Sequence, residues 1–369
     1  MNIPLVDLAA QSQEVEEELL PEIQELFRSG QFIGGKAVEL FEQVYAEFLG
    51  SRYCIGVGNG TDALEMALRA VGVTRNSEVI IPVNTFIATA EAVIRIGAIP
   101  IFVDVDEKYL LISAPNVAAA VTSRTSAIVP VHLYGQVAAV EELESMARDA
   151  GAHIVEDAAQ AQGATRFGRS AGSLGSASAT SFYPGKNLGA AGDAGAVITD
   201  NESIARTVRM LSSHGSIVKY VHETVGFNSR LDAIQATVLS IKLRRLNDWN
   251  ARRRQVAARY DQMLREIDDI ILPKSMPGNM DVWHLYVIRI PQRDAVLKRL
   301  HEAGIGAGIH YPQPLHRTPA LIDIPARAYP VAERAADQIL SLPIHAHLTE
   351  TEQQFVVDTL LRALRGRGL

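Results

Sequence analysis

The chain has 369 residues, of which 47% are hydrophobic and 21% are charged. This length and composition predict a large buried core and two domains, and they exclude general disorder. A net charge of −7 argues against a nucleic-acid partner, because such proteins present a broad positive surface. The densest basic run, Arg252-Arg253-Arg254, is interpreted as the solvated face of a helix.

The sequence shows no sign of secretion or of a membrane span. Cys54 is the only cysteine, which excludes an intrachain disulfide. The first 18 residues are acidic where a signal peptide is basic, and no apolar run reaches the length of about 18 residues that a spanning helix needs. We therefore expect a cytoplasmic protein without a membrane partner, and we assign no metal site.

Short apolar runs alternate with helical patterns in the first part of the chain. The predicted strands lie at residues 79–83, 99–105, 127–131 and 153–155, and the helices between them at residues 63–71, 89–96 and 140–150. Such alternation is typical of an α/β fold in which helices cover both faces of a mostly parallel sheet. Ligands of such sheets bind at the carboxyl ends of the strands.

The pattern changes after about residue 230. Helices are predicted at residues 231–246, 250–267 and 295–303, a loop at 273–280 and a strand at 282–290. We therefore predict a large domain over residues 1–245 and a smaller C-terminal α+β domain over residues 246–369.

A glycine-rich stretch, Gly58-Asn59-Gly60-Thr61-Asp62, comes directly before a predicted helix. Glycine lets the backbone approach a ligand closely, and the free N–H groups of a helix start attract phosphate. Thr61 adds a hydroxyl donor. An ordinary helix cap explains the same residues, and their spacing fits neither a Walker loop nor a GxGxxG motif.

An acidic residue ends another predicted strand, where His153-Ile154-Val155 runs into Glu156-Asp157. At the carboxyl end of a strand, an ionised Asp157 can pair with a protonated ring nitrogen of a ligand. A helix cap after the strand is an equally good explanation of this aspartate.

Lys186 lies among small and turn-forming residues, in the stretch from Ser178 to Gly189. Most lysines are solvated, but these neighbours are too apolar and glycine-rich for a typical surface lysine. Burial favours the neutral amine, which a nucleophilic lysine needs. Ser181 can add a further phosphate contact.

Together the three motifs match the phosphate, the ring nitrogen and the aldehyde of pyridoxal 5′-phosphate. On these residues the chain resembles the DegT/DnrJ/EryC1/StrS nucleotide-sugar aminotransferases, which have the aspartate-aminotransferase-like fold, fold type I of the pyridoxal-phosphate enzymes. The most specific likeness is Ser-Phe-x-Pro-x-Lys-Asn-Leu-Gly at residues 181–189. The resemblance covers nearly the whole chain, through residues 4–8, 58–64, 85–86, 130–135, 156–160, 181–195 and 226–232.

The resemblance implies a role for each matching residue. Lys186 resembles the lysine that holds the cofactor as a Schiff base, and Asp157 the partner of the pyridine nitrogen. The further cofactor contacts that it implies are Gly60, Thr61 and Ser181 to the phosphate, Gln160 to the ring hydroxyl and Phe86 stacked on the ring. One departure is Gly192-Asp193-Ala194-Gly195, where the family has Gly-Asp-Gly-Gly. Alanine is expected to fit there unless the position needs a positive φ.

Asn228 resembles a phosphate ligand donated by the neighbouring subunit, which implies a homodimer with shared active sites. The implied reaction is a transamination in which the amino donor, L-glutamate by resemblance, and a keto sugar use one pocket in turn. Lys186 separates this reaction from that of related sugar dehydratases, which carry histidine at the lysine position.

The segments at residues 213–222, 226–232 and 309–316 resemble the branch that aminates C3 of dTDP-3-keto-6-deoxyhexoses. The substrate contacts that this likeness suggests are Tyr183, His310 and Tyr311 to the sugar, Lys219 to the diphosphate and Arg230 to the donor carboxylate. Each also has a structural explanation, such as an interface ion pair for Arg230. Two other functions stay open: a C4 aminotransferase acting on a dTDP- or UDP-4-keto sugar, and a non-catalytic or regulatory protein of the same fold.

Overall fold

The computed structural model describes residues 1–325 and 327–366, in which strands and helices alternate along most of the chain. The strands are β1 (Tyr53–Val57), β2 (Glu78–Pro82), β3 (Ile99–Val103), β4 (Thr125–Ile128), β5 (His153–Asp157), β6 (Thr165–Arg166), β7 (Arg169–Ser170), β8 (Ala177–Ser181), β9 (Gly195–Thr199), β10 (Asn279–Met280), β11 (Tyr286–Arg289) and β12 (Ile339–Leu342). The helices are α1 (Leu8–Gln13), α2 (Glu16–Ser29), α3 (Lys36–Leu49), α4 (Gly60–Ala70), α5 (Ile87–Ile96), α6 (Ala114–Ala118), α7 (Glu144–Asp149), α8 (Glu202–Ser212), α9 (Ala233–Leu264), α10 (Arg293–Glu302), α11 (Pro330–Gln338) and α12 (Glu350–Leu364).

A seven-stranded sheet with the order β1-β9-β8-β5-β4-β2-β3 forms the centre of the molecule. Neighbours from β8 to β3 pair in parallel, whereas β9 runs antiparallel to both β8 and β1. All five residues of β2 are buried, as expected for a strand that helices cover on both faces. The mostly parallel sheet flanked by helices confirms the predicted α/β fold class.

The strands predicted at residues 79–83, 99–105, 127–131 and 153–155 correspond to β2, β3, β4 and β5. Strand β5 continues two residues further than predicted, through Glu156 to Asp157. Glu156 is fully buried, but its carboxylate accepts hydrogen bonds from the N–H groups of Gly172 and Gly175, both at 2.8 Å. Because these donors satisfy the charge, a carboxylate can lie inside the sheet where the apolar pattern ends.

The two helices predicted at residues 231–246 and 250–267 are one helix, α9, of 32 residues. The prediction separated them near Asn250, yet this side chain is buried and hydrogen-bonded, so the helix continues through it. The predicted domain boundary between residues 245 and 246 falls inside α9, and the division into 1–245 and 246–369 stays a prediction. Neither α9 nor any other helix of the described residues is long and apolar enough to cross a membrane.

A second, smaller core lies around the antiparallel pair β11 and β12, which α9, α10 and α12 cover. The predicted strand at residues 282–290 is shorter than expected, because only residues 286–289 form β11. The segment before β11 bonds instead to the loop after β4: Val282 N donates to Gly135 O at 3.0 Å, and Leu285 N donates to Tyr134 O at 3.2 Å. These bonds hold residues 282–285 beside the carboxyl ends of the strands of the large sheet.

Candidate active site

A cavity of about 680 Å³ lies at the carboxyl ends of β1, β2, β5 and β8. Its volume falls within the range of about 300–1,000 Å³ that is typical of small-molecule sites. The loops that follow these strands line it, as expected for a parallel sheet. The predicted site residues that line this cavity are Gly60, Thr61, Phe86, Asp157, Gln160, Ser181, Tyr183, Lys186, His310 and Tyr311.

One end of the cavity is the start of α4. Asn59 caps this helix, because its side-chain oxygen accepts from Asp62 N at 2.8 Å. The N–H groups of Gly60 and Thr61 lie in the first turn, where the helix itself provides no carbonyl acceptor for them. A Cβ on Gly60 would lie 2.6 Å from Ser181 Cβ, so only glycine lets the helix start approach β8 this closely. Two free N–H groups beside two hydroxyls form a place for a phosphate.

Asp157 presents its carboxylate to the cavity from the end of β5. Thr89 Oγ1 donates to Asp157 Oδ2 at 2.8 Å and lies 2.9 Å from Thr85 Oγ1. Ala159 N donates to the other carboxylate oxygen, Oδ1, at 3.2 Å. Both carboxylate oxygens are therefore held by donors, which fixes the orientation of Asp157 at this point of the cavity.

Lys186 lies in the turn after β8, where its N–H donates to Tyr183 O at 2.8 Å. The turn depends on Gly189, because a Cβ there would lie 2.2 Å from Pro184 O. Burial lowers the pKa of Lys186 to about 8, and the attraction of Asp157 opposes part of that shift. A neutral amine is therefore accessible near neutral pH.

His310 and Tyr311 form the far wall of the cavity, although they are distant in sequence from Gly60, Asp157 and Lys186. Gln160 Oε1 accepts from Tyr134 N at 2.7 Å, and Gln160 Nε2 donates to the Tyr311 hydroxyl at 3.0 Å. Tyr134 in turn donates its hydroxyl to His310 O at 2.6 Å. The rings of Phe86 and Tyr311 lie 5.4 Å apart, so an aromatic wall faces the carboxylate and the amine.

Three predicted site residues, Lys219, Asn228 and Arg230, do not line this cavity and are exposed on the chain. Residues 217–225 beside them also expose a group of apolar side chains: Ile217, Val218, Tyr220, Val221 and Val225. From this exposed position the three side chains can reach the cavity of a second copy of the chain. Their donation to that cavity stays a prediction.

Sequence reasoning did not identify Thr89, which holds Asp157, or His284, which lines the cavity beside Lys186. A signal for Thr89 exists, since Thr85 and Thr89 are one helical turn apart at the start of α5. No signal exists for His284, because its position depends on how residues 282–285 meet the large sheet. At the departure from the family pattern, Ala194 does not have a positive φ and fits without strain.

Thr89→Val tests the support of Asp157. The substitution preserves the shape of the side chain but removes the hydroxyl that donates to the carboxylate. Since a hydrogen bond to a charged group contributes about 1.5–3 kcal/mol, we expect the affinity for pyridoxal phosphate to fall about ten-fold. Thr207→Val is the matched control, because Thr207 bonds only to Ser203 O on the exposed surface. Equal affinities of both variants, measured by fluorescence titration, would contradict the role of Thr89.

Comparison with known proteins identifies the family of this chain. Residues 13–361 match the DegT/DnrJ/EryC1/StrS aminotransferase family. The chain is 43% identical to the erythromycin biosynthesis sensory transduction protein EryC1 of Saccharopolyspora erythraea, over 98% of this chain and 99% of that protein. It is 42% identical to the dTDP-3-amino-3,4,6-trideoxy-alpha-D-glucose transaminase of Streptomyces venezuelae, over 97% and 95% of the two chains.

The fold is likewise that of a solved aminotransferase. The crystal structure of S. venezuelae DesV in complex with a ketimine intermediate superposes with a TM-score of 0.95 and 42% identity, and 97% of each chain is covered. The resemblance inferred from the sequence motifs is therefore confirmed. The chain belongs to the DegT/DnrJ/EryC1/StrS aminotransferase family, whose members are pyridoxal-phosphate-dependent transaminases.

Proposed function

We propose that this chain transfers an amino group from L-glutamate to C3 of a dTDP-linked 3-keto-6-deoxyhexose. The observation that carries the proposal is the convergence of Lys186, Asp157 and the start of α4 in one cavity. The choice of C3 and of dTDP is supported by the likeness of residues 213–232 and 309–316 and by the name of the S. venezuelae relative. Other matched relatives are named as aminotransferases of UDP-linked 3-oxo sugars, so the nucleotide has to be tested directly.

The cavity fits pyridoxal phosphate. Because Gly60 has no side chain, the start of α4 packs directly against Ser181, so its N–H groups and the hydroxyls of Thr61 and Ser181 can converge on one phosphate. Asp157 would hold the protonated ring nitrogen, and Lys186 would hold the aldehyde. When bound, the cofactor supplies an electron sink for the carbon that loses or gains a proton. Stacking on Phe86 and a contact from Gln160 complete the set of residues that would hold the ring.

Lys186 is the group that moves the proton. With a pKa of about 8, Nζ is neutral in part of the molecules at neutral pH and can accept the proton from Cα of the amino donor. Nζ would then pass this proton to the cofactor and become neutral again. In the second half of the reaction, Nζ would take a proton from the cofactor and deliver it to the sugar carbon that receives the amine. Donor and sugar therefore occupy the cavity in turn, with a single base serving both.

The cavity of one chain has too little positive charge for a nucleotide diphosphate. Asp62, Asp157 and Asp193 line it, whereas Arg95 already pairs with Asp62 at 3.2 Å and with Glu65 at 2.9 Å. A diphosphate carries about two negative charges and needs cations that are not already paired. The missing charge must therefore come from outside this chain's own cavity wall.

Lys219 meets this need if a second copy donates it, and Arg230 of the same copy would then bind the carboxylate of the amino donor. Both are exposed, and the apolar residues 217–225 beside them need a protein surface to cover them. A homodimer in which each chain completes its partner's site satisfies both requirements, with Asn228 as the donated phosphate ligand.

Lys186→Ala tests the attachment of the cofactor. We expect the variant to form no imine bond with the cofactor aldehyde, so that borohydride reduction attaches no cofactor to the chain. We also expect it to lose transamination. Lys242→Ala is the matched control: burial also lowers the pKa of Lys242 to about 8, but its amine bonds to Gly189 O at 2.9 Å outside the cavity. Mass spectrometry of the reduced wild-type chain should locate the cofactor on the peptide that contains residue 186. A cofactor found on residue 242 would exclude the proposed role of Lys186.

Subunit mixing tests the shared site. Asn228→Asp places a negative charge against the expected phosphate, so this variant and Lys186→Ala should each be inactive as homodimers. If Asn228 acts in the partner's site, each mixed dimer contains one intact site, and a one-to-one mixture regains roughly a quarter of the wild-type activity. The mixture is made by unfolding and refolding both variants together, and each variant refolded alone is the control. Persistent inactivity of a mixture that gel filtration shows to be dimeric would place Asn228 in its own chain's site.

Product analysis tests the reaction. The chain is incubated with glutamate and with dTDP- or UDP-linked 3-keto and 4-keto sugars, and NMR locates the new amine. We expect C3 amination of the dTDP-linked 3-keto-6-deoxyhexose. A C4 amine would support the alternative aminotransferase, and failure of glutamate and of other amino donors to convert the bound cofactor would support the non-catalytic alternative.

A further inference from the structure

A row of buried amide side chains connects α9 with the residue that follows Lys186. Asn250, on α9, donates from Nδ2 to Gln162 O at 2.9 Å. Its Oδ1 accepts from Asn187 Nδ2 at 2.8 Å, and the same Nδ2 group donates to Val282 O at 2.9 Å. The other end of the Asn187 amide, Oδ1, lies 3.1 Å from Nδ1 of His284. Asn187, Asn250 and His284 are all buried.

The two backbone carbonyls fix the direction of every bond in this row. A carbonyl oxygen only accepts, so Gln162 O and Val282 O require the NH₂ groups of Asn250 and Asn187 to point at them. The oxygen of Asn187 then faces His284, and Nδ1 of His284 must carry the proton. The other ring nitrogen, Nε2, is left as an acceptor with a free lone pair.

This lone pair faces the cavity of Lys186. His284 is 7% exposed and lines that cavity. Nε2 has no hydrogen-bond partner among residues 1–325 and 327–366, yet it is not one of the side-chain atoms sealed from solvent. Asn187, the residue that follows Lys186, bonds to His284, and both Lys186 and His284 line this cavity. The charge of Lys186 also lowers the pKa of His284, after the larger effect of burial.

We infer that His284 is a positioning residue whose Nε2 accepts a hydrogen bond from the Lys186 amine when the flexible lysine side chain turns toward it, and that this bond aims the amine at the reacting carbon. The inference rests on the proposed role of Lys186 as the base. An amine on a flexible four-carbon chain has many orientations, and a fixed acceptor selects one of them. The Asn187–Asn250 row holds the imidazole in the tautomer that this task requires.

The other histidine that lines the cavity is not fixed in the same way. His310 Nδ1 lies 2.9 Å from Ser341 Oγ, but a hydroxyl can donate or accept, so this contact does not select a tautomer. The Tyr311 hydroxyl already accepts from Gln160. Asp157 is bound by Thr89 and serves the ring nitrogen in the proposed site. Behind His284, the buried guanidinium of Arg253 contributes a further positive charge, which also lowers the pKa of His284 and keeps the imidazole neutral.

Two matched variants separate the two ring nitrogens. His284→Gln keeps an acceptor near the position of Nε2 but loses the donor to Asn187, whereas His284→Asn keeps that donor and loses the acceptor in the cavity. We expect His284→Asn to lower kcat about ten-fold at its pH optimum with little change in KM, and His284→Gln to keep most of the activity. A purely structural histidine would give the opposite order, and that order would overturn the inference.

A second readout does not depend on turnover. In the full chain before cofactor is added, the pH dependence of acetic-anhydride labelling of Lys186 reports its pKa. An acceptor stabilises the ammonium form, so His284→Asn should shift the labelling midpoint to lower pH by about one unit, and His284→Gln should leave it unchanged. The wild type and both variants keep the same ionisable groups, Asp157, His310 and Tyr311, in the cavity around this amine. Equal labelling midpoints in the wild type and both variants would overturn the inference.

The outcome for Lys186 itself keeps the two proposals distinct. If Lys186→Ala retains transamination, the proposed function of Lys186 is wrong. If that variant is inactive while His284→Asn behaves as wild type in both measurements, only the inference about His284 is wrong.

Discussion

The removal of the Lys186 amine from water is the constraint on which the rest of the site depends. Burial lowers the pKa of this amine to about 8, which makes it a base near neutral pH. A lysine can be held in that state only if its loop is rigid and if nearby charges do not restore the ammonium form. The Asp157 carboxylate exerts the opposing attraction, and Thr89 and Ala159 N limit it by engaging both carboxylate oxygens.

Helix α9 supplies much of the rigidity. Lys242 donates to Gly189 O, Asn250 donates to Gln162 O, and Arg253 donates to Ile344 O at 2.9 Å. These three bonds brace the lysine turn, the loop after β5 and the end of β12 from a single element. The helix carries buried polar residues that an isolated amphipathic helix would place toward water, and each is matched to a backbone carbonyl. This explains why so polar a helix is a central part of the core. The interpretation of residues 252–254 as a solvated face was wrong for Arg253, which is buried.

The electrostatics of the cavity are also the basis of the proposed homodimer. In the proposed site, one chain would provide the anion for a ring nitrogen, the base and the cradle for a phosphate. It provides little free positive charge for a diphosphate, since Arg95 is engaged by two carboxylates. The segment at residues 217–230 combines two exposed cations, Lys219 and Arg230, with exposed apolar side chains, and we propose that this surface completes another chain's site.

Local sequence determined the features that depend on neighbouring residues. Strand and helix periodicity predicted the sheet and placed the Gly60, Asp157 and Lys186 motifs at its edge, because carboxyl ends of parallel strands meet there. Tertiary structure decided what depends on distant contacts. Asn250 looked like a break between two helices, but its burial against Gln162 and Asn187 keeps α9 continuous. The place of His284 follows from the bonds that join residues 282–285 to Tyr134 and Gly135, and its inferred tautomer follows from its contact with Asn187. These partners are distant in sequence, so no local pattern encodes the pairing.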